Sequence, residues 1–217
     1  MSGSMKICVL GLKASNCKSV FAALSTTAKF ECKMLKVQEI RSLEDRACLI
    51  IPGVGHISSL SKEIERHYTA SELKNIVYEK NLRIIGICLG FQYLCKSSSE
   101  DPSIETLGIF DFAISPLSEP IAPSVGWKRL HNWNCGFDVD LPTLGEQGFY
   151  FTHSYGAIIH PSCSRPSSCD WLYCYDHEKA SQVVAAVRKE NFIGFQFHPE
   201  KSGSHGLRLL HDAVRVF

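Results

Sequence analysis

The segment Gly86-Ile87-Cys88-Leu89-Gly90 follows an apolar strand, Arg83 to Ile87, and precedes a helical stretch, Phe91 to Leu94. A sharp strand-to-helix turn crowds the residues two before and two after its centre, so glycine at both places satisfies the sterics. The Cys88 thiol would then sit at a helix N-terminus, where backbone N–H groups favour the thiolate. The pattern predicts a nucleophile elbow; the alternative is an inert cysteine at a buried strand end, because free cysteine is common in cores.

Strands and helices alternate on the N-terminal side of this elbow. Helical spacing around Val20 and Leu24 predicts one helix, and a second is predicted over Ser71 to Lys80 with Ser71 as its N-cap. Such alternation implies parallel strands with helices on both faces of the sheet. The predicted strands are short apolar runs at Lys6 to Leu10, Cys32 to Val37, Cys48 to Ile51 and Arg83 to Ile87.

The C-terminal half has a different pattern, in which short β-like pieces predict antiparallel strands that extend the sheet. The last two are joined by Lys189-Glu190-Asn191 as a hairpin. A final helix is marked by Leu207, Leu210, Val214 and Phe217 at helical spacing. The predicted fold is α/β, with a mostly parallel central sheet flanked by helices. The strands expected in this half are Gly108 to Ile114, Gly148 to Thr152, Gln182 to Arg188 and Phe192 to Phe197.

Size and composition predict one globular domain over residues 1–217. The chain has 217 residues and 45% hydrophobic content, which suffices to bury about 70% of the surface of the unfolded chain. The first four residues resemble a cloning scar ahead of a natural start at Met5. The Pro- and Ser-rich stretch Pro161 to Ser168 is typical of a surface loop.

Charge and cysteine usage exclude several classes of partner. The formal net charge of +1 disfavours a nucleic-acid or lipid surface and favours a neutral small-molecule substrate. The longest apolar run, Ile84 to Leu94, is far shorter than a membrane span of roughly 20 residues. Ten cysteines are scattered along the chain with no export signal, which indicates reduced thiols in the cytoplasm.

A second motif, Phe197-His198-Pro199-Glu200, supplies an acid–base pair. Proline biases the residue before it toward an extended conformation, in which side chains two apart point the same way. His198 would take the Cys88 proton and later donate it to departing ammonia, while the Glu200 carboxylate fixes the imidazole tautomer. Alone, such a pair is usually exposed and has no role; together with the cysteine elbow it predicts a catalytic triad.

A third motif, Pro52-Gly53-Val54-Gly55, follows the strand Cys48 to Ile51. Attack on an amide creates an oxyanion that needs two donors, commonly the N–H after the nucleophile and one from a neighbouring strand-end loop. The N–H of Leu89 and an N–H at Gly53 or Val54 would serve. A plain tight turn is the alternative, since Pro-Gly commonly forms one.

These motifs in this order resemble the class I, or triad-type, glutamine amidotransferases over essentially the whole chain. The resemblance implies L-glutamine as the substrate and neither a metal nor a cofactor. It also implies that Gln92 and Glu100 hold the amino-acid end of glutamine, where an acid can pair with the α-ammonium group. The other positions that it implies line the substrate pocket are Gly55, Thr152, His153 and Ser154.

Within that family, three segments look most like the glutaminase subunit of imidazole glycerol phosphate synthase, which serves histidine biosynthesis. They are Phe151 to Tyr155, Gly126-Trp127 and His198 to Gly203. The resemblance implies a cyclase partner with a (β/α)8 barrel. It places Asn16, Trp127 and Lys201 at the partner interface or ammonia gate; for Trp127 and Trp133, ordinary aromatic packing is the alternative.

Two departures from this subfamily open another possibility. The usual Gly-x-Gly-Asn type of loop appears here as Leu12-Lys13-Ala14-Ser15-Asn16, and the usual Pro-His-Met-Gly-Trp-Asn appears as Pro123-Ser124-Val125-Gly126-Trp127-Lys128. Both segments lie where the family meets its partner. A divergent paralogue that feeds another synthase, such as one amidating a cell-surface sugar, is therefore the alternative.

Functions of other classes have weaker support. A metal site would have to use His160, Cys163, Cys169, Cys174 and His177, whose spacing lacks the paired cysteines of structural zinc sites. A non-enzymatic scaffold would leave the three triad residues without a purpose. A hydrolase of some other γ-glutamyl compound is disfavoured by Gln92 with Glu100.

Overall fold

Parallel strands form one half of the main sheet in this computed structural model, which describes residues 6–13, 15–25, 31–118, 122–132, 148–159, 169–176 and 181–216. Neighbouring strands run in the order β2-β1-β3-β4-β13, all parallel. The predicted α/β class is thus confirmed. The bounds are β1 Lys6–Leu10, β2 Glu31–Leu35, β3 Cys48–Gly53, β4 Arg83–Cys88 and β13 Phe192–Phe195.

Antiparallel pairing extends this sheet beyond β13, through β12, β10 and β6. Strand β5 then pairs parallel to β6, and β11 pairs antiparallel to both β12 and β8. The hairpin at 189–191 connects β12 to β13 as predicted. The bounds are β5 Cys95–Ser98, β6 Phe110–Pro116, β8 His131–Asn132, β10 Tyr155–Ile159, β11 Trp171–Asp176 and β12 Gln182–Lys189.

One predicted strand lies elsewhere. The run expected at Gly148 to Thr152 forms β9, Phe149–His153, which pairs antiparallel with β7, Ser124–Lys128, in a separate ribbon. The prediction that it extends the main sheet was wrong. Strand propensity is local, but the choice of a partner strand depends on tertiary packing that the sequence pattern does not encode.

Five helices flank the sheet in the described residues: α1 Cys17–Ser25, α2 Ile57–Glu65, α3 Ala70–Glu79, α4 Leu89–Leu94 and α5 Gly203–Arg215. Thr69, not Ser71, caps α3: its hydroxyl accepts from Glu72 N at 3.2 Å, while the Glu72 carboxylate accepts from Thr69 N at 2.8 Å. This reciprocal capping box satisfies two otherwise unpaired donors. No described helix is both long enough and apolar enough to cross a bilayer.

The helix predicted near the C-terminus is present, and the predicted face is buried. Leu210 and Val214 are fully buried, and the half-buried Leu207 packs against the same hydrophobic cluster, which also includes Leu209 and Ala213. Three expectations fall outside the described residues: the position of Phe217, the loop over Pro161 to Ser168 and the nature of the first four residues. The single domain over 1–217 stays a prediction.

Central strands β3, β4 and β13 are buried on both faces, which explains their continuous apolar sequences. Leu49 and Ile84 face the hydrophobic cluster that includes α2 and α3, while Ile50 and Ile85 face the cluster that includes α1 and α5. This two-sided core fixes the carboxyl ends of β4 and β13 side by side. In open α/β sheets, ligands bind at this edge.

Candidate active site

Cys88 stands at the corner between β4 and α4 with φ 53° and ψ −106°, an unusual conformation for a non-glycine residue. The flanking glycines make the corner possible. A Cβ on Gly86 would lie 2.7 Å from Phe91 N, and one on Gly90 would lie 1.8 Å from Ile51 O. The strand-to-helix turn expected from the glycine spacing is therefore present, and it holds a thiol that is 5% exposed.

His198 and Glu200 follow β13, the parallel neighbour of the strand that ends at Cys88. His198 Nδ1 lies 2.8 Å from Glu200 Oε1, and both side chains are fully buried. The His198 backbone N–H donates to Tyr150 O at 2.9 Å, which fixes the residue from β9. Because Nδ1 donates to the carboxylate, Nε2 is left to exchange a proton with the thiol.

The protonation of His198 is set by opposing effects. Burial lowers the pKa of the imidazole, but its interactions with the Cys88 sulfur and with the Glu200 carboxylate outweigh burial and raise the pKa of His198 to about 9. Nε2 is buried and makes no fully formed hydrogen bond in the described part of the chain, so its interaction with the Cys88 sulfur is a looser contact. The arrangement is suited to an imidazolium beside a thiolate, which is the activated form of a cysteine nucleophile.

Asn16 reaches the same pair from the loop before α1. Its Nδ2 donates to Glu200 Oε1 and lies 3.4 Å from His198 Nδ1. The side chain predicted at a partner interface is thus turned toward the carboxylate, a contact that was not predicted. A separation of 184 residues leaves no local signal from which it could be predicted.

The loop predicted to supply oxyanion donors lies beside the thiol. Gly53, the last residue of β3, is in register with Cys88 across the parallel pair. A Cβ on Gly53 would lie 2.7 Å from Leu89 Cβ, so the two elements that carry the predicted donors pack directly against each other. Val54 and Leu89 continue from there into the wall of a pocket.

This pocket opens above Cys88 and has a volume of about 270 Å³. Ligand pockets for drug-sized molecules span about 300–1,000 Å³, so a single amino acid matches this space better. Nine predicted site residues line it, together with Pro123 and Tyr155, which were not predicted. The nine are Val54, Gly55, Cys88, Leu89, Gln92, Glu100, Thr152, His153 and Ser154.

Glu100 is held at one end of the pocket by helix α2, because its Oε2 accepts from Ile57 N at 2.8 Å. A fixed carboxylate in the wall gives a cationic ligand group a counter-charge. Gln92 also lines the pocket, and its Nε2 donates to Tyr155 O at 2.8 Å and to Gln196 Oε1 at 3.1 Å. Glu100 is therefore part of the pocket rather than a solvated loop residue.

The segment after Tyr150 forms the opposite wall. Thr152 O lies 4.0 Å from Cys88 Sγ, within reach of the thiol proton. Both ring nitrogens of His153 are engaged: Nδ1 lies 2.7 Å from Tyr155 O and Nε2 lies 3.1 Å from the Tyr175 hydroxyl. His153 therefore holds the wall in place, and Ser154 contributes to its lining.

Two predicted interface residues are exposed close to this site. Trp127 is 57% exposed on β7 and pairs in register with Tyr150, whose carbonyl holds the His198 backbone. Lys201 is exposed immediately after Glu200. Trp133 lies outside the described residues. One strand, β9, thus separates the exposed Trp127 indole from the His198 backbone.

The late cysteine and histidine cluster gives no metal site among the residues that the structure describes, where no group of three or more His, Cys, Asp or Glu side chains could hold an ion. His160, Cys163 and His177 fall outside those residues.

Comparison with known proteins assigns the class of this site. Residues 12–216 match the model of the family described as glutamine amidotransferase class-I. The match spans nearly the whole chain, so the chain belongs to the class-I glutamine amidotransferase family.

Two curated relatives point to one branch of that family. The imidazole glycerol phosphate synthase subunit HisH of Escherichia coli O157:H7 is 30% identical over 215 residues, covering 98% of this chain and 100% of the relative. The subunit hisH of Cyanidioschyzon merolae is 29% identical over 215 residues, covering 97% and 98% of the two chains. Both relatives match over nearly their full length and carry the name of the synthase that the three segments resembled.

Solved structures agree on the fold. A crystal structure of a glutamine amidotransferase superposes with a TM-score of 0.66 at 18% identity, covering 96% of this chain and 98% of the other. PurLQS from Thermotoga maritima gives 0.63 at 20% identity, covering 98% of each chain. At these identities the likeness establishes the fold alone.

Proposed function

We propose that this chain hydrolyses L-glutamine to glutamate and ammonia at the pocket above Cys88, as the glutaminase subunit of imidazole glycerol phosphate synthase in histidine biosynthesis. One observation carries the chemistry: a cysteine at a strand–helix corner adjoins a buried His198–Glu200 pair and opens into an amino-acid-sized pocket. Family membership and the names of the full-length relatives support the pathway.

In the first half-reaction, Cys88 Sγ attacks the side-chain amide carbon of glutamine. His198 takes the thiol proton and donates it to the amide nitrogen as ammonia leaves, which produces a thioester on Cys88. Water then attacks the thioester; His198 accepts its proton and returns it to the departing sulfur, which releases glutamate. Glu200 holds the imidazole through Nδ1 and supports its positive charge.

Substrate binding and transition-state stabilisation use the pocket walls. Glu100 pairs with the α-ammonium group, and Gln92 presents Oε1 to the same end of the substrate. The N–H groups of Leu89 and of Gly53 or Val54 stabilise the oxyanion that forms at the attacked carbon. Removal of one such donor typically costs about 10²–10³ in rate, so their alignment controls activity.

A separate synthase subunit consumes the ammonia. At neutral pH, ammonia released to water becomes ammonium, which is not a nucleophile, so that the two active sites must communicate through a shielded path. We assign the partner a (β/α)8 barrel cyclase, docked on the face that includes Asn16, Trp127 and Lys201. We also place the enzyme in the cytoplasm, where its thiols stay reduced.

The test compares two variants, each reconstituted with the cyclase. Cys88→Ala removes the proposed nucleophile, and the control Cys32→Ala removes a cysteine on the edge strand β2. Cys88→Ala should abolish glutamine-dependent synthesis and keep synthesis from added ammonium salt, whereas Cys32→Ala should keep both. Residual glutaminase in Cys88→Ala would exclude the mechanism. Synthesis with a sugar-amidating partner but not with the cyclase would instead favour the divergent-paralogue alternative.

A further inference from the structure

A buried amide lies against the reactive sulfur and takes no part in the mechanism above. Gln196 is fully buried between β13 and His198, and its Nε2 donates to Cys88 Sγ at 3.7 Å. Gln196 lies two residues before His198, in the bend that follows β13, and both side chains reach Cys88.

The orientation of the Gln196 amide is fixed by its neighbours. Gln92 Nε2 donates to Tyr155 O, an acceptor that cannot also donate, which sets the orientation of the Gln92 amide. The same Nε2 donates to Gln196 Oε1 at 3.1 Å. Since Oε1 is engaged there, the NH₂ group of Gln196 must face the sulfur. The Tyr155 carbonyl therefore orients the Gln92 amide, and the Gln92 amide orients that of Gln196. The Gln196 amide in turn donates to Cys88 Sγ.

We propose that Gln196 is a further catalytic residue, whose N–H stabilises the Cys88 thiolate and holds it in the attacking position. This proposal rests on the proposed function of Cys88. Two contacts of the sulfur compete: the Thr152 carbonyl can accept the thiol proton and favours the neutral form, whereas an N–H donor favours the thiolate. In a dry environment a donor to a charged acceptor is stronger than one to a neutral acceptor.

The charged and titratable groups around the sulfur are His198, with Glu200 behind it, and Glu100 and His153 in the pocket wall. A change at Gln196 alters none of them. The effect of Gln196 on the Cys88 thiol can therefore be separated from the effects of these charged groups. The reactivity of Cys88 is measured directly, in the absence of glutamine.

The experiment measures alkylation of Cys88 by iodoacetamide between pH 5 and 10 in the full chain. Mass spectrometry follows the tryptic peptide Ile84 to Lys96, in which the fully buried Cys95 serves as an internal reference. A hydrogen bond to a charged group is typically worth about one to two powers of ten in an equilibrium constant. Gln196→Met, which keeps the side-chain length and lacks the donor, should shift the alkylation midpoint up by about one to two pH units.

Steady-state kinetics give a second readout: kcat for glutaminase should fall about tenfold, with KM changed by less than about twofold. Tyr68→Phe is the matched control, because it removes one hydrogen bond of a buried side chain, to Gln38 O at 2.9 Å, far from the thiol. The Tyr68→Phe variant should have the same alkylation profile as the wild-type protein. An unshifted profile in folded Gln196→Met would overturn the role of Gln196 while the Cys88 mechanism stands.

A measurement on the unmodified residue covers the case in which the Met variant does not fold. In ¹⁵N-labelled protein, the Gln196 side-chain amide signals should move with pH at the midpoint of Cys88 alkylation. In Cys88→Ala this movement should disappear. Signals that do not respond to Cys88 would exclude the contact, whereas glutaminase activity in Cys88→Ala would reject the proposed function itself.

Discussion

Gly90→Ala is the most direct test of the packing that creates the nucleophile corner. The added Cβ would lie 1.8 Å from Ile51 O, and the obstacle is strand backbone rather than the flexible end of a side chain. A carbon–oxygen contact needs about 3.3 Å, so the corner and β3 must separate by roughly 1.5 Å. Strand β3 leads into Gly53 two residues later, so the shift reaches the loop beside Cys88.

The expected loss of stability is at the upper end of the range for overpacked cores. Such substitutions typically cost 1–3 kcal/mol, and a backbone obstacle makes about 3 kcal/mol the appropriate figure. For a chain of this size, that corresponds to a decrease in Tm of about 6–12 °C. Glutaminase kcat should fall by at least about 10², the typical value of one oxyanion donor, because the predicted donors at Gly53 and Leu89 are displaced.

Thermal unfolding, urea titration and glutaminase assays check these values against Gly148→Ala. At Gly148 a Cβ would meet Lys128 O at 3.5 Å and Trp127 Cβ at 3.6 Å, which are ordinary contacts. That variant should stay within about 0.5 kcal/mol of wild type. If Gly90→Ala and Gly148→Ala unfold at the same temperature, the steric account of the corner is wrong.

Three further predictions concern the charges and the exposed face. Burial lowers the pKa of His198, and Cys88 and Glu200 together raise it from 6.5 to about 9, so Glu200→Gln removes one of the two groups that raise it. Since the imidazolium is the active form, the alkaline limb of kcat/KM should move to lower pH, and a pH–rate profile with an unmoved limb would contradict this. Glu100→Gln should raise KM for glutamine about 10–100-fold in steady-state assays, with kcat changed less than about threefold, because the variant lacks the counter-charge for the α-ammonium group. A decrease in kcat as large as the increase in KM would instead place Glu100 in the chemical step. Trp127→Ala should weaken binding of the proposed cyclase partner by about 2 kcal/mol in calorimetry. The control Tyr78→Ala removes an exposed aromatic side chain from α3 and should bind like wild type.

Features governed by local sterics were predictable from the sequence. The glycines two before and two after Cys88 mark the corner because no Cβ fits there, and this requirement is visible within five residues. His198 and Glu200 do lie side by side, but the expected reason was wrong: Glu200 is in a 3-10 turn, Pro199–Lys201, and not in an extended segment. The fold class followed from the alternation of strands and helices, since parallel strands need crossover helices.

Other local signals were present and were not used. Thr69 and Glu72 form a capping box whose spacing is readable in the sequence, yet the helix was predicted to begin at Ser71. Helix α2 carries Ile57, Leu60 and Ile64 at helical spacing but was not predicted. The contact of Gln196 with Cys88 was not predicted either, although Gln196 lies only two residues before His198.

Contacts between distant segments could not be predicted from one sequence. The pairing of β9 with β7 instead of the main sheet and the contact of Asn16 with Glu200 join residues that no periodic pattern connects. Each depends on how complete elements pack. Pocket residues such as Gln92 and Glu100 were predicted from the family resemblance and not from a local pattern.

Under the proposed function, the ribbon of β7 and β9 would connect partner binding to glutamine hydrolysis. Trp127 is exposed on its outer strand, and Tyr150, directly across from it, holds the His198 backbone. A ligand bound to the Trp127 indole would therefore displace the His198 imidazole by shifting only the β7–β9 pair of strands. An inhibitor aimed at this outer face would act on glutamine cleavage without entering the glutamine pocket, and substrate accumulation would not displace it.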